Sequence, residues 1–280
     1  MDVKNHPLSM GRFDWLEIPD FDEDKREKIK EDTPRQPAET DNYDSQYYLQ
    51  LAAVQYLDGD FDSALKHFSR ALHLDRDNAA AWAGQVKALI GMNELNEAKI
   101  WVEKAISIFP KDGELLAAKA SLLCKSELHD DALACSDNSI QQSGEFSYIW
   151  LVRGEIFLSL NRHDLARHCF DKAKGLENAE ADILFEIGQA YFNRALFIQA
   201  CEYFNRSLEK QPSNPFRWFK LARAYEKLYW LQKAEFSYRK ALELESDFKQ
   251  AKTGLEELNK KKGDFFYSLK SFFKNILASR

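Results

Sequence analysis

Lys220, Arg223 and Lys227 fall at steps of three and four, a spacing that puts three cations on one face of a helix, where they could hold an acidic ligand group. His129 and His163 stand 34 residues apart, and so do Cys135 and Cys169, which would let a helical array stack both pairs toward a zinc ion. Identical columns in a repeated sequence produce the same coincidence without a metal, and no metal or cofactor is expected. None of the four cysteines, Cys124, Cys135, Cys169 and Cys201, forms a C-x-x-C pair, so they read as buried reduced thiols. The chain contains no P-loop, Gly-rich dinucleotide turn, G-x-S-x-G elbow or H-E-x-x-H pair. Eleven glycines and short connections leave little room for the loops that carry most active sites. Asn205-Arg206-Ser207 matches a glycosylation sequon but falls in a predicted helix. These observations point away from an enzyme.

The elements that would position such residues follow one period. Ala64, Ala98, Ala132, Ala166, Ala200 and Ala234 stand at intervals of 34 residues. Windows of that length from Ser45 to Phe248 give six units without insertion or deletion. Each unit opens with a large apolar residue (Tyr48, Trp82, Leu116, Trp150, Leu184, Trp218), followed four residues later by a small or short one (Ala52, Val86, Ala120, Gly154, Gly188, Ala222). After a turn, a second helix carries the alanine, then Phe68, Val102, Ser136, Phe170, Phe204 or Tyr238. Steps of three and four trace one helix face, so each unit is predicted to be an antiparallel helix pair. Pro110 and Pro212 fall where a second helix must stop.

This pattern resembles the tetratricopeptide repeat over 204 of 280 residues. The third unit matches least, with Ser136, Ser139 and Gly144 in place of the aromatic, alanine and proline. The resemblance implies an all-α fold: a right-handed superhelical solenoid of six helix-turn-helix repeats at 45–248, closed by a capping helix at 249–262. It also implies a concave groove that holds a peptide segment. The residues facing it would include Lys87, Lys125, Leu151, Glu155, Phe185, Gln189, Phe192, Asn193, Phe219, Lys220, Arg223 and Lys227. Some family members clamp the C-terminal carboxylate of heat-shock chaperones with lysine, asparagine and arginine. The matching positions here are Leu49, Ala53, Gly84, Glu114 and Ala118, so that clamp is absent.

Two tails flank the array. Residues 1–44 hold 13 acidic and 7 basic residues, which accounts for the whole net charge of −6. A neutral array with an acidic tail argues against a nucleic-acid partner. Phe13, Trp15, Leu16, Ile18 and Phe21 alternate there with carboxylates, as a recognition element or a strip that folds back would. In residues 263–280, Phe265, Phe266, Leu269, Phe272, Phe273, Ile276 and Leu277 share one helical face, which must be covered by protein or by a membrane surface. No stretch is long and apolar enough to span a membrane, and residues 1–15 do not read as a signal peptide, so a cytoplasmic protein is expected. The function expected is a protein–protein adaptor or scaffold. Its alternatives are a membrane-associated scaffold held by the C-terminal helix and a regulatory subunit of an enzyme complex.

Overall fold

The computed structural model describes Phe13, Leu16 and residues 43–176 and 180–261. The amphipathic stretch at 263–280, with Phe265, Phe266, Leu269, Phe272, Phe273 and Ile276, lies outside the described residues, as do Trp15 and Phe21. Among the described residues the secondary structure is helical, with no strand. The pairs are α1 (Ser45–Leu57) with α2 (Phe61–Leu74), α3 (Ala79–Gly91) with α4 (Leu95–Ile108), and α5 (Gly113–Lys125) with α6 (His129–Ser143). They continue with α7 (Ser147–Ser159) and α8 (His163–Leu176), α9 (Glu180–Asn193) and α10 (Phe197–Lys210), and α11 (Pro215–Lys227) and α12 (Leu231–Leu244). A last helix, α13, covers 249–261, in register with the first helix of a unit.

Local chemistry repeats with the fold. Asp44, Asn78, Asp112 and Asn214 cap the first helices of their units, each accepting a backbone N–H three residues on. Phe146 stands in the same column before α7 and supplies no side-chain cap. The turn within each unit needs one residue in the left-handed region: Gly59 at φ 76°, then Asn93, Glu127, Asn161, Ala195 and Tyr229 at 58–63°.

The six alanines of the column are completely buried. Between the helices they space, a ring on the second helix lies over a glycine on a first helix: Phe170 over Gly154 and Phe204 over Gly188 within a unit, and Phe68 over Gly84 and Tyr238 over Gly254 between units. A Cβ at Gly188 or Gly254 would meet ring carbons at 2.6 Å. The apolar core is not continuous along the array. One large cluster runs from α1 to α5 and another from Ala117 of α5 to α13, with a small third one of Ala120, Ala132, Val152 and Ile156 beside them. At this seam Ser136 and Ser139 are fully buried. Ser139 Oγ donates to the Gly113 carbonyl at 2.7 Å, and Ser136 Oγ accepts from Arg153 Nη1 at 2.7 Å.

The division of the core and the missing cap at Phe146 set the expectation that amide hydrogen exchange is fastest, among the internal units, over 113–146. Equal protection there and in the neighbouring units would refute it. Tyr229 is 85% exposed and has φ 58°, so Tyr229→Gly removes strain without removing packing. Chemical denaturation should show a gain of about 0.5–1 kcal/mol.

Candidate binding throat

The inner face of the array is formed by the first helix of each unit, and the curvature brings those helices around a shared space. Leu49, Ala53 and Tyr56 of α1, Ala80 and Lys87 of α3, Glu114 of α5, Tyr148 and Leu151 of α7, and Asp182, Ile183 and Glu186 of α9 line one cavity of about 370 Å³. A smaller cavity of about 160 Å³ shares Tyr56, Lys87, Tyr148, Leu151 and Glu186. It adds Ser121, Lys125, Glu155, Gln189, Asn193 and Lys220. Helices of the first and fifth units therefore face each other across a throat.

A contact between the first and sixth units closes this turn of the superhelix. Asn214 Nδ2 donates to Asp58 Oδ1 at 2.7 Å, while Asn214 Oδ1 caps α11 by accepting from the Arg217 N–H at 3.0 Å. Beside it the Phe216 ring presses on Gly59, leaving no room for a Cβ. That contact, with the positive φ, explains a glycine in this turn where the later units carry other residues. Arg217, only 1% exposed, donates to the Asp182 carboxylate and to Ser207 Oγ. Burial raises the Asp58 carboxyl above its ordinary range, against the Asn214 hydrogen bond and the Arg217 charge.

Closure removes water from the polar groups of the throat. Glu186 is pushed up to about 7, first by burial and then by the charge of Glu155, with Lys87 and Lys220 opposing. Burial likewise raises Glu155, with Lys125 opposing. Lys220 is pulled down to about 8 by burial, with Glu186 opposing, and its ammonium lies 5.0 Å from the centre of the Phe216 ring. Lys87 is ion-paired with Glu114 and sits 4.0 Å from the centre of the Tyr148 ring. The buried Oε1 of Gln189 has no hydrogen-bond partner among the described residues.

The expected groove residues separate into three groups. Lys87, Lys125, Leu151, Glu155, Gln189, Asn193 and Lys220 come together in the throat. Phe185 does not present itself to a ligand: it is 1% exposed, packed on Phe204 and Phe216 with the Arg217 guanidinium over its ring. Phe192 packs on Phe197 and Phe204, and Phe219 on Phe216, Tyr238 and Phe248, so both serve chiefly the joints between helices. Arg223 and Lys227 line a different cavity, of about 670 Å³, with Glu226, Glu257 and Lys261. There Glu226 accepts from Lys261 and from Tyr238 Oη and lies 3.8 Å from Arg223, so Arg223 and Lys261 are already partnered. The run Lys220, Arg223, Lys227 is thus divided between two cavities. Tyr56, Tyr148, Asp182 and Ile183 were not singled out in the sequence; Tyr56 shares a column with Phe192, which was.

All four cysteines are free, and burial raises each thiol, Cys201 to about 12. Among the described residues, no group of three or more His, Cys, Asp or Glu is placed to hold a metal ion. No helix of the described residues is long and apolar enough to cross a membrane.

Tetratricopeptide-repeat family models match residues 55–122, 147–180 and 217–248. A human protein named Protein O-mannosyl-transferase TMTC3 is 25% identical over 178 residues, covering 58% of this chain and 20% of that protein. The chain spans about a fifth of the length of the curated relatives it matches. Among solved structures, the tetratricopeptide-repeat protein TTC0263 of Thermus thermophilus superposes with a TM-score of 0.50 at 19% identity. It covers 64% of this chain and 98% of that one. The human IFIT1 dimer with m7Gppp-AAAA gives 0.51 at 14% identity, covering 83% and 68%. At such identities these likenesses concern the fold.

Two outcomes follow from the throat. The raised Glu186 carboxyl holds a proton in the folded chain at pH values where the unfolded chain has released it, so this group's contribution to stability falls as pH rises from about 4.5 to about 7. Glu186→Gln should therefore stabilise the protein by about 1–3 kcal/mol at pH 8, with the gain vanishing near pH 4.5, in denaturant titrations at the two pH values. Asp58→Ala removes the hydrogen bond to Asn214 but not the α11 cap. Small-angle scattering should then report a larger radius of gyration at unchanged helicity; an unchanged radius would mean that the rest of the fold closes the turn without this contact.

Proposed function

We propose that this chain, which belongs to the tetratricopeptide-repeat family, is a non-catalytic adaptor that takes a short segment of a partner protein into the throat. The observation that carries this reading is the throat itself: a cavity lined by residues of five units, apolar on the side of Leu49, Tyr56, Leu151 and Ile183 and charged at Lys87, Glu114 and Glu186. Apolar walls give affinity through burial, and a few fixed polar groups give orientation. Closure across the first and sixth units favours a short segment, or one or two large side chains, over a long peptide lying along the array.

The absence of catalysis is supported by the chemistry of the groups present. The thiols are raised, the carboxylates and lysines oppose one another, and no nucleophile is paired with a base in the throat. Placement in the cytoplasm belongs to the same reading.

The test compares two exposed positions. Ala53 lines the throat and is solvent-exposed, so Ala53→Glu adds charge and bulk there without disturbing the core. Ile100 is 58% exposed on α4, away from the throat. In affinity capture with the full chain, partners recovered by the unmodified protein and by Ile100→Glu should fall at least tenfold with Ala53→Glu. Capture indifferent to Ala53→Glu and lost with Ile100→Glu would move the binding surface to the second helices.

A further inference from the structure

Trp82, Trp150 and Trp218 share one column of the repeat, and two of the three make the same latch. Trp82 Nε1 donates to the Arg76 carbonyl at 2.9 Å and Trp218 Nε1 to the Pro212 carbonyl at 2.8 Å, each six residues back. The matching acceptor for Trp150 is the Gly144 carbonyl, yet Trp150 Nε1 is buried with no hydrogen-bond partner among the described residues. Three residues on, along the same side of α7, Arg153 Nε is buried and unpartnered among the described residues as well. A buried donor without a partner keeps the full cost of its desolvation.

The connection before α7 accounts for the missing latch. The helices α2, α4, α8, α10 and α12 end at Leu74, Ile108, Leu176, Lys210 and Leu244, all in one column, whereas α6 runs one residue past it to Ser143. Gly144 then donates its N–H to the Ile140 carbonyl at 2.8 Å and turns the chain at φ 78°, ψ −167°, a conformation essentially confined to glycine. Arg76 and Pro212, in the same column, need no positive φ. Neither a proline nor a cap fixes this connection, because Gly144 stands where Pro110 and Pro212 do in their units and Phe146 supplies no side-chain cap.

We propose that the joint between the third and fourth units has two arrangements: the one described, and one in which α6 ends at Gln142, Gly144 takes a negative φ and its carbonyl accepts the Trp150 indole N–H. The exchange gives up the hydrogen bond from Gly144 to Ile140 and makes an indole hydrogen bond in its place. The number of hydrogen bonds is conserved, so neither arrangement holds a large advantage. The helix that must follow, α7, carries Tyr148, Leu151 and Glu155 into the throat. Switching the joint therefore moves one throat wall against Lys87 of α3, whose ammonium lies 4.0 Å from the centre of the Tyr148 ring. A ligand that fits one width better than the other shifts the joint by its difference in affinity, and by no more. That last consequence rests on the throat being the binding surface, whereas the joint itself is tested without a ligand.

The experiment uses the full chain with ¹⁵N-labelled tryptophan, followed by NMR, with Trp150→Phe identifying the Trp150 indole resonance. Gly144→Ala penalises only the described arrangement: a Cβ there meets nothing within 4 Å, so its whole cost is backbone conformation. The Trp150 indole proton should then move downfield into the range of Trp82 and Trp218. The melting midpoint should fall less than when the same change is made in Trp150→Phe, where no latch can form. An unmoved Trp150 resonance overturns the proposal, and so does an equal fall in the two backgrounds. If Gly144→Ala does not fold, relaxation dispersion on the unmodified chain decides: microsecond-to-millisecond exchange at Trp150 that is absent at Trp82 and Trp218 supports two arrangements, and its absence at Trp150 overturns them. The Lys87 side-chain resonances, which feel the Tyr148 ring, should move together with Trp150 in Gly144→Ala. Lys87 resonances that stay in place would overturn the link from the joint to the throat wall.

Discussion

Everything in this architecture depends on how closely an aromatic ring can approach a helix backbone. At Gly84, Gly154, Gly188 and Gly254 a ring from Phe68, Phe170, Phe204 or Tyr238 occupies the place where a side chain would begin. Because a packed interior has no slack, adding even one carbon would force the helices apart or the ring off its rotamer. The buried alanine column holds the second helix at the matching distance. The alanine spacing recurs in every unit, so a small fixed rotation accumulates, and within six units the turn has come round far enough for Gly59 to meet Phe216.

Closure changes the chemistry of residues that would be ordinary on an open surface. Glu155, Glu186 and Lys220 sit on first helices at positions that solvent would reach in a shallow array, yet burial moves all three toward neutrality. Beside them Lys87 is ion-paired with Glu114 and lies over the face of Tyr148. The throat therefore contains a buried polar atom, Gln189 Oε1, that has no hydrogen-bond partner among the described residues. A ligand that supplies the missing partner recovers part of that desolvation cost, and one that does not is rejected by it. Specificity in such a site comes from the polar groups, while affinity comes from Leu49, Tyr56, Leu151 and Ile183.

The sequence made the periodic part of this fold legible and left the contacts between distant units hidden. The 34-residue columns identified the helix pairs, the alanines at their crossings and the weak third unit, because each depends on residues a few turns apart. One further column was present but unread, the caps Asp44, Asn78, Asp112 and Asn214. The Asp58–Asn214 hydrogen bond joins positions 156 residues apart and leaves no local pattern. Phe185 was misread for a related reason. Its spacing puts it on the inward side of α9, but whether that side meets solvent or the next helix depends on the superhelical turn, and here Phe204 and Phe216 cover it.

The seam and the closing contact stand in mechanical opposition. Stability in an array is close to a sum over neighbouring interfaces, so strain concentrates where an interface contributes least. The third unit is where buried serines replace apolar side chains, with Ala117, Ala120, Ala132, Val152 and Ile156 lying between the two large clusters. Serine hydrogen bonds such as Ser139 to the Gly113 carbonyl are directional and contribute about 0.5–1.5 kcal/mol each. They hold a geometry without supplying the burial that a phenylalanine would. The first three units and the last three thus form two well-packed bodies, joined on one side by the seam and on the other by Asp58, Gly59, Asn214 and Phe216. Because the throat lies between these two joints, any change in its width must be taken up at the seam or at the closing contact, and not within the tightly packed helix pairs.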